Sequence, residues 1–480
     1  MERRMESTEV EEQEEEEEEM HHCGDEAATV AAVAEEPSID ADKLSYEIFS
    51  ILESKFLFDY DDHKLWLSAA ASVADSAPPA PEEATQSSSS FGNQRGKVCV
   101  LCIDGGGGGG MRGILPGKAV SYLEQALKVK SGDPDARISD YFDLAAGTGV
   151  GGVFVAMLFA SRDGVRPLFE ADDTWRFLAD KGKHLLRKAS PSRSAFFRCL
   201  SLRGGASTTA AMDRAMKEAF GKDLTVRDTV KPVLIPCYDL LTSAPLVFSR
   251  ADAVESEGFN FRLWEVCRAT WAEPGLFAPA EISSVDGTTT CVGVDGGLTM
   301  SNPTAAAITH VLHNKYEFPF VRGVEDLMVL SLGCGDSSGS GAAPVKVGRR
   351  GAREWTVPVS RIAAGGAADL VDHAVALAFR QCRSSNYVRV QDNGRRISGD
   401  ADCDASAGNV KALSQAAEEM LRQKNVESVL FGGKRVKQET NMEKLDWFAG
   451  ELVLEHRRRS YRIAPTVAFK QAIPKPTNGS

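Results

Sequence analysis

The sequence predicts an α/β fold with a mostly parallel central sheet covered by helices on both faces. Three observations carry this expectation. Val98 to Asp104 is a continuous apolar run, as expected of a strand buried on both sides. It breaks at six consecutive glycines, Gly105 to Gly110, before a helical segment with Pro116 near its first turn and Leu123, Ala126 and Leu127 on one face. The same order of strand, glycine turn and helix recurs from Asp143 to Ala160, and such alternation is how βαβ units read in sequence.

Each element follows from its own pattern. Residues 1–40 hold 16 Asp/Glu against two Arg, with a glutamate-dominated block from Glu11 to Glu19, so a disordered acidic tail is expected. This tail accounts for the formal net charge of -13. The rest of the chain carries 53 Lys/Arg against 52 Asp/Glu, and a nearly neutral body argues against a nucleic-acid partner. Residues 41–71 form an amphipathic helical segment in which Leu44, Ile48, Phe49, Leu52, Phe56 and Leu57 recur at helical spacing. Its polar face carries Glu47, Glu53, Asp59, Asp61 and Asp62, which favours docking on the body over anionic lipid. Residues 72–96, with a Pro-Pro-Ala-Pro stretch and the serine run Ser87 to Ser90, read as a flexible linker.

A main domain is expected from 97 to 335. Further strands are predicted at Val233 to Tyr238, Leu246 to Ser249, Cys291 to Asp295 and Leu327 to Leu332, and helices between Arg162 and Lys231. Residues 336–480 read as a mainly helical extension packed on or beside the core. Its helices are placed at Ile362 to Cys382 and Val410 to Leu430, with a polar break from Gln391 to Gly408.

No secretory signal pattern opens the chain, and ten scattered cysteines lack the spacing of a disulfide framework. A cytoplasmic location is expected. Cys99 and Cys102 form a C-x-x-C inside a strand, so two core thiols are expected in place of a redox pair. The longest uncharged run, Leu144 to Ala160, has 17 residues and four glycines in its first half, and reads as a buried strand-turn-helix in place of a membrane span.

Three motifs carry chemistry. Gly147-Thr148-Gly149-Val150-Gly151 has the form of a nucleophile elbow, in which G-x-S-x-G lifts a serine above a sheet, but Gly149 stands in the serine's place. The glycine loop Gly108, Gly109, Gly110, with Arg112 and Gly113, offers a row of backbone N–H groups for a developing oxyanion. Gly108, Gly110 and Gly113 also satisfy a formal dinucleotide fingerprint, but a long glycine run dilutes that pattern, and a phosphate loop fails because Gly117-Lys118 is followed by Ala119. Asp295-Gly296-Gly297 ends a strand with a carboxylate placed as a general base, ahead of Asn302-Pro303 and a helix through Leu312. Thr148, Ser301 and Cys334 are the alternative nucleophiles, without a spacing that raises them above structural residues. The eight histidines make no metal-ligand or triad pattern, and no metal or cofactor is expected.

With these motifs the chain resembles the patatin-like lipolytic acyl hydrolases over roughly residues 97 to 335. Asp104 with Gly108 to Gly113 is similar to that family's oxyanion motif, Gly147 to Gly151 lies at its elbow, and Asp295-Gly296-Gly297 resembles the motif of its dyad aspartate. Arg268-Ala-Thr-Trp-Ala-Glu-Pro and Leu330-Ser-Leu-Gly333 also look like family segments. The resemblance implies a three-layer α/β fold and a Ser-Asp dyad that releases fatty acids from phospholipids and galactolipids, with peripheral contact to membranes. The G-x-G-x-G elbow resembles a plant branch of the family, the group III patatin-related phospholipases A, as does the Leu44 to Tyr60 helix. Two departures stand out: Gly149 replaces the nucleophile, and the oxyanion loop has three more glycines than the family's usual motif. The readings are therefore an acyl hydrolase of altered mechanism, with Asp295 activating water, and a non-catalytic lipid-binding protein that kept the pocket.

Overall fold

The computed structural model describes residues 96–105, 110–186, 202–335, 352–380, 386–393, 399–429, 433–460 and 467–468, all within one compact unit, Glu82–Ser480. The acidic tail, the Leu44 to Tyr60 helix, the linker up to residue 95, and Gly106 to Gly109 lie outside the described residues.

In chain order the elements begin with β1 (Val98–Ile103), α1 (Ile114–Ser131), α2 (Ile138–Tyr141), β2 (Leu144–Gly147), α3 (Val150–Phe159), α4 (Ala171–Leu185) and α5 (Leu202–Phe220). They continue with β3 (Val233–Asp239), β4 (Ala244–Ser249), α6 (Arg250–Glu255), α7 (Leu263–Thr270), β5 (Ala280–Ser283), β6 (Thr290–Asp295) and α8 (Thr304–His313). The last are β7 (Leu327–Leu332), α9 (Ala352–Phe379), β8 (Tyr387–Val390), α10 (Ala407–Arg422), β9 (Lys424–Val429), β10 (Gly433–Thr440) and α11 (Asn441–Ser460).

The central sheet has the order β5-β6-β3-β2-β1-β7-β8, with β4 paired to β3 outside this path. β3, β2, β1, β7 and β8 run parallel to one another, while β4 and β6 are antiparallel to β3, and β5 to β6. β1 shows why its sequence is apolar at every position. Val98, Val100 and Cys102 pack on one face with Ala307, Ile308 and Val311 of α8 and Val375 and Phe379 of α9. Cys99, Leu101 and Ile103 pack on the other with residues of α1, α3, α7, α10 and α11. The result is three layers, and each fully buried Val, Leu or Ile contributes about 1.5–3 kcal/mol of apolar transfer energy. The C-x-x-C cysteines thus point to opposite faces of one strand, and burial pushes the Cys102 thiol up to about 12.

The described C-terminal residues differ from the expectation in two places. The helix expected from Val410 to Leu430 ends at Arg422, and Lys424–Val429 is strand β9, antiparallel to β10 with Val426 opposite Val436. The glycine pair Gly432-Gly433 ends any helical run here, and the Asn441 N–H donates to the Gln423 carbonyl at 2.8 Å, joining the start of α11 to the end of α10. The helix expected to begin at Ile362 begins earlier, at Ala352. The sheet also continues past residue 335, since β8 pairs in parallel with β7. Among the described residues, no helix is long and apolar enough to cross a membrane.

Candidate active site

The site lies beyond the carboxyl ends of β1 and β2, where open α/β sheets bind ligands. β2 ends at Gly147, and the chain turns into α3 through Thr148 and Gly149. Gly149 sits at φ 54°, ψ −127°, a region nearly closed to residues with a Cβ. Its N–H donates to Thr270 Oγ1 at 3.0 Å, and the Thr270 hydroxyl donates to the Pro236 carbonyl at 2.6 Å, so α7 and β3 hold the turn. A Cβ on Gly147 would strike the Gly151 carbonyl, and one on Gly151 the Ile103 carbonyl, so the two flanking glycines are there for close backbone approach.

Asp295 closes β6 and is 4% exposed. Its carboxylate caps the following turn by accepting the Gly297 N–H at 2.9 Å, and its own N–H bonds the Ala272 carbonyl at 3.1 Å. The decisive geometry is between the elbow and this carboxyl. A Cβ built on Gly149 would stand 3.3 Å from Asp295 Oδ1 and 3.2 Å from the Cα of Gly105, where the glycine loop begins. The elbow, the first residue of the loop and the aspartate therefore converge on the space that the missing side chain would fill. Burial pushes the Asp295 carboxyl well above the usual carboxylate range. A hydrogen bond to the Glu273 side chain and the charge of that neighbour push it further, against the Gly297 N–H.

The residues that flank the loop are held from far along the chain. Asp104 accepts from Arg389 Nη1 at 3.1 Å and Nη2 at 2.5 Å, and Arg389 Nη1 also donates to Ser331 Oγ at 2.7 Å. After the loop, Gly110 takes φ 85° and its carbonyl accepts the Gly113 N–H at 2.9 Å. Val150 packs against Gly110 and Gly113, since a Cβ on either would collide with its methyls. Arg112 is turned to support: its N–H donates to Asp402 Oδ1 at 2.9 Å and its Nε to Oδ2 at 2.5 Å. This pairing uses the Arg112 N–H, which the sequence places among the oxyanion donors. Gly108 and Gly109 lie outside the described residues. Of the alternative nucleophiles, Thr148 is fully buried with its Oγ1 beside Gly296, and Cys334 donates weakly to the Asp104 carbonyl at 3.4 Å with burial pushing its thiol up.

This convergence agrees with what the chain is similar to. The Patatin-like phospholipase family model matches residues 107–308. Patatin-like protein 6 of Arabidopsis thaliana is 59% identical over 465 residues, covering 94% of this chain and 91% of that protein. The chain belongs to the patatin-like phospholipase family. Patatin-like protein 7 of the same plant is 60% identical over 443 residues, covering 92% and 86%. A further relative, Probable inactive patatin-like protein 9 of Arabidopsis thaliana, is 44% identical over 357 residues, covering 74% and 86%. Membership ties the chain to lipid acyl hydrolysis in general.

Four residues that shape this patatin-like site escape motif reading: Thr270, Glu273, Arg389 and Asp402. Thr270 and Glu273 lie within the Arg268-Ala-Thr-Trp-Ala-Glu-Pro segment, where the family resemblance was the only signal. Arg389 and Asp402 are 285 and 290 positions from their partners, Arg389 just before and Asp402 within the stretch from Gln391 to Gly408 whose composition reads as a polar break.

Proposed function

We propose that this protein is a lipolytic acyl hydrolase that releases fatty acids from phospholipids and galactolipids by direct attack of water. Asp295 serves as general base, and the ester carbonyl sits in the Gly108 to Gly110 loop. The observation that carries the reading is the 3.3 Å between Asp295 Oδ1 and the Cβ position of Gly149. That space, bounded by a carboxyl and by the start of the glycine loop, suits a water molecule where the family places a hydroxyl. The positive end of the α3 dipole at Val150 favours negative charge developing nearby. Turnover is slow, since serine proteases stripped of triad members keep only about 10³ to 10⁴-fold acceleration from binding and the oxyanion hole. Leu298, 47% exposed and three residues after Asp295, offers an apolar contact for a lipid chain or a membrane surface met from the cytoplasm.

The test is fatty-acid release from mixed phospholipid and galactolipid vesicles by purified full-length protein, beside Asp295→Asn. Release by the parent that falls to background in a folded Asp295→Asn protein supports the reading, and equal release from both removes Asp295 from the mechanism. A second reading, a lipid-binding protein without turnover, is favoured by Gly149 itself and by the relative named as inactive. It predicts vesicle binding with no release from either protein.

A further inference from the structure

We propose that the indole N–H of Trp271 donates to the ester carbonyl oxygen and holds the negative charge that forms on it, so that Trp271 is a catalytic residue of this site. The inference rests on the hydrolytic reading above and deepens it by naming a donor. Three consecutive residues at the end of α7 each reach a different part of the frame. Thr270 Oγ1 accepts the Gly149 N–H at 3.0 Å, the Ala272 carbonyl accepts the Asp295 N–H at 3.1 Å, and Trp271 between them lies against Gly110. Its Nε1 is 3.0 Å and its Cε2 3.3 Å from the Cβ position of Gly110, so the edge of the ring that carries the N–H faces the end of the glycine loop. A methyl of Val150, the residue after Gly149, meets the same Cβ position. The indole N–H therefore stands where the loop end and the elbow meet.

The donor is buried and unused. Trp271 is 3% exposed, and its Nε1 has no hydrogen-bond partner among the described residues. An indole has one polar atom, and burying that donor unpaired forfeits its bond to water with nothing in return. Neighbouring N–H groups are already taken. Asp402 Oδ1 accepts from Arg112 at 2.9 Å, the Gly110 carbonyl from Gly113 at 2.9 Å, and Thr270 Oγ1 from Gly149. Packing also fixes the ring. Phe277 meets it edge-on with centroids 6.2 Å apart, and the Trp271 backbone N–H bonds the Cys267 carbonyl at 3.3 Å. A donor held in place, dry and without a partner is suited to charge that exists only during reaction, because it needs no reorganisation when that charge appears.

The chemistry balances with water as the only co-reactant. The oxygen of water bonds to the acyl carbon, its proton passes to the Asp295 carboxylate, and the carbonyl π electrons move onto the oxygen that the indole N–H faces. That oxyanion then re-forms its carbonyl, the ester C–O bond breaks, and the leaving alkoxide takes the proton from Asp295. Fatty acid and alcohol depart. The indole keeps its proton throughout and acts only by its hydrogen bond, which strengthens as the oxygen gains charge.

The test pairs turnover with a direct view of the indole. Fatty-acid release from mixed phospholipid and galactolipid vesicles is measured for the parent and for Trp271→Phe, which keeps an aromatic ring and removes the donor. The indole N–H resonances of the six tryptophans are followed by proton–nitrogen NMR as dodecyl methylphosphonate, a tetrahedral anion on a lipid chain, is added, and again with the matched uncharged alkyl ether. The expected results are a kcat lowered about 10²-fold in Trp271→Phe, with KM little changed and the melting temperature not lowered, and a downfield move of the Trp271 resonance with the phosphonate alone. A folded Trp271→Phe protein with the parent's kcat overturns the proposal, and so does a Trp271 resonance that the phosphonate leaves in place. Activity lost together with thermal stability, with the resonance unmoved, assigns Trp271 to packing. A parent that releases no fatty acid while its Trp271 resonance moves overturns the hydrolytic reading, and the catalytic role with it, but supports the indole as the donor to a bound lipid's oxygen. If Trp271→Phe does not fold, Phe substitutions at Trp66, Trp175, Trp264, Trp355 and Trp447 assign the resonance by elimination, and the phosphonate titration of the parent decides.

Discussion

At residue scale, Asp295 is held under conditions that oppose its ionised form, with burial first and Glu273 second, and only the Gly297 N–H acting the other way. A carboxyl whose native pKa is raised contributes stability that is complete below its unfolded pKa, about 4, and is lost as pH rises through the native value. The parent should therefore lose thermal stability from about pH 4 upward relative to Asp295→Asn, which lacks the titrating group. Melting temperatures across that range check this, and parallel curves contradict it. Gly149 sets a second residue-level cost. At φ 54°, with the Gly105 backbone 3.2 Å from an added Cβ, Gly149→Ala should destabilise by about 1–3 kcal/mol, read by urea unfolding.

At the scale of elements, the residues flanking the glycine loop, Asp104 and Arg112, are held by β8 and by the turn at Asp402. Arg389→Met leaves Asp104 buried without its guanidinium, at a cost of about 3–5 kcal/mol, and Asp104→Leu in the same chain should recover part of that loss. A double-mutant cycle in denaturant measures the coupling, and strict additivity would show that the pair does not act as a unit. Strands and helices with strong periods were legible. β7 at Leu327–Leu332 and the strand-turn-helix around Gly149 follow from apolar runs broken by glycine. The hairpin of β9 and β10 was not, because Val426 and Val429 continue an apolar spacing that α10 had already set. Arg389 and Asp402 were illegible for another reason. Nothing local marks a charged residue that will be buried against a partner hundreds of positions away.

At the scale of the whole molecule, residues beyond 335 are part of what holds the sheet together. β8 covers the edge of β7, and Arg459 of α11 grips Asp143 before β2 through two hydrogen bonds of 2.7 and 2.6 Å. A chain ending at residue 335 would expose an apolar parallel strand edge and strip Asp104 of Arg389, Asp143 of Arg459 and Arg112 of Asp402. It should not be recovered as a soluble, cooperatively unfolding protein, and a sharp two-state transition from that truncation would contradict this. The motifs of the site were legible because glycine, aspartate and strand ends lie close in sequence. The hold on Asp295 from the turn after α7 was not, since the Asp295 N–H meets the Ala272 carbonyl only once β6 lies beside that turn.

The central claim is that elbow, loop and Asp295 form an assembled hydrolytic frame lacking one hydroxyl, and Gly149→Ser tests it most directly. The measurement is covalent labelling of parent and Gly149→Ser by a serine-directed phosphonate, read by intact mass, with both proteins shown to be folded. The account predicts that Gly149→Ser takes up one phosphonate and gains esterase activity while the parent takes up none. A folded Gly149→Ser protein that neither labels nor gains activity would contradict it.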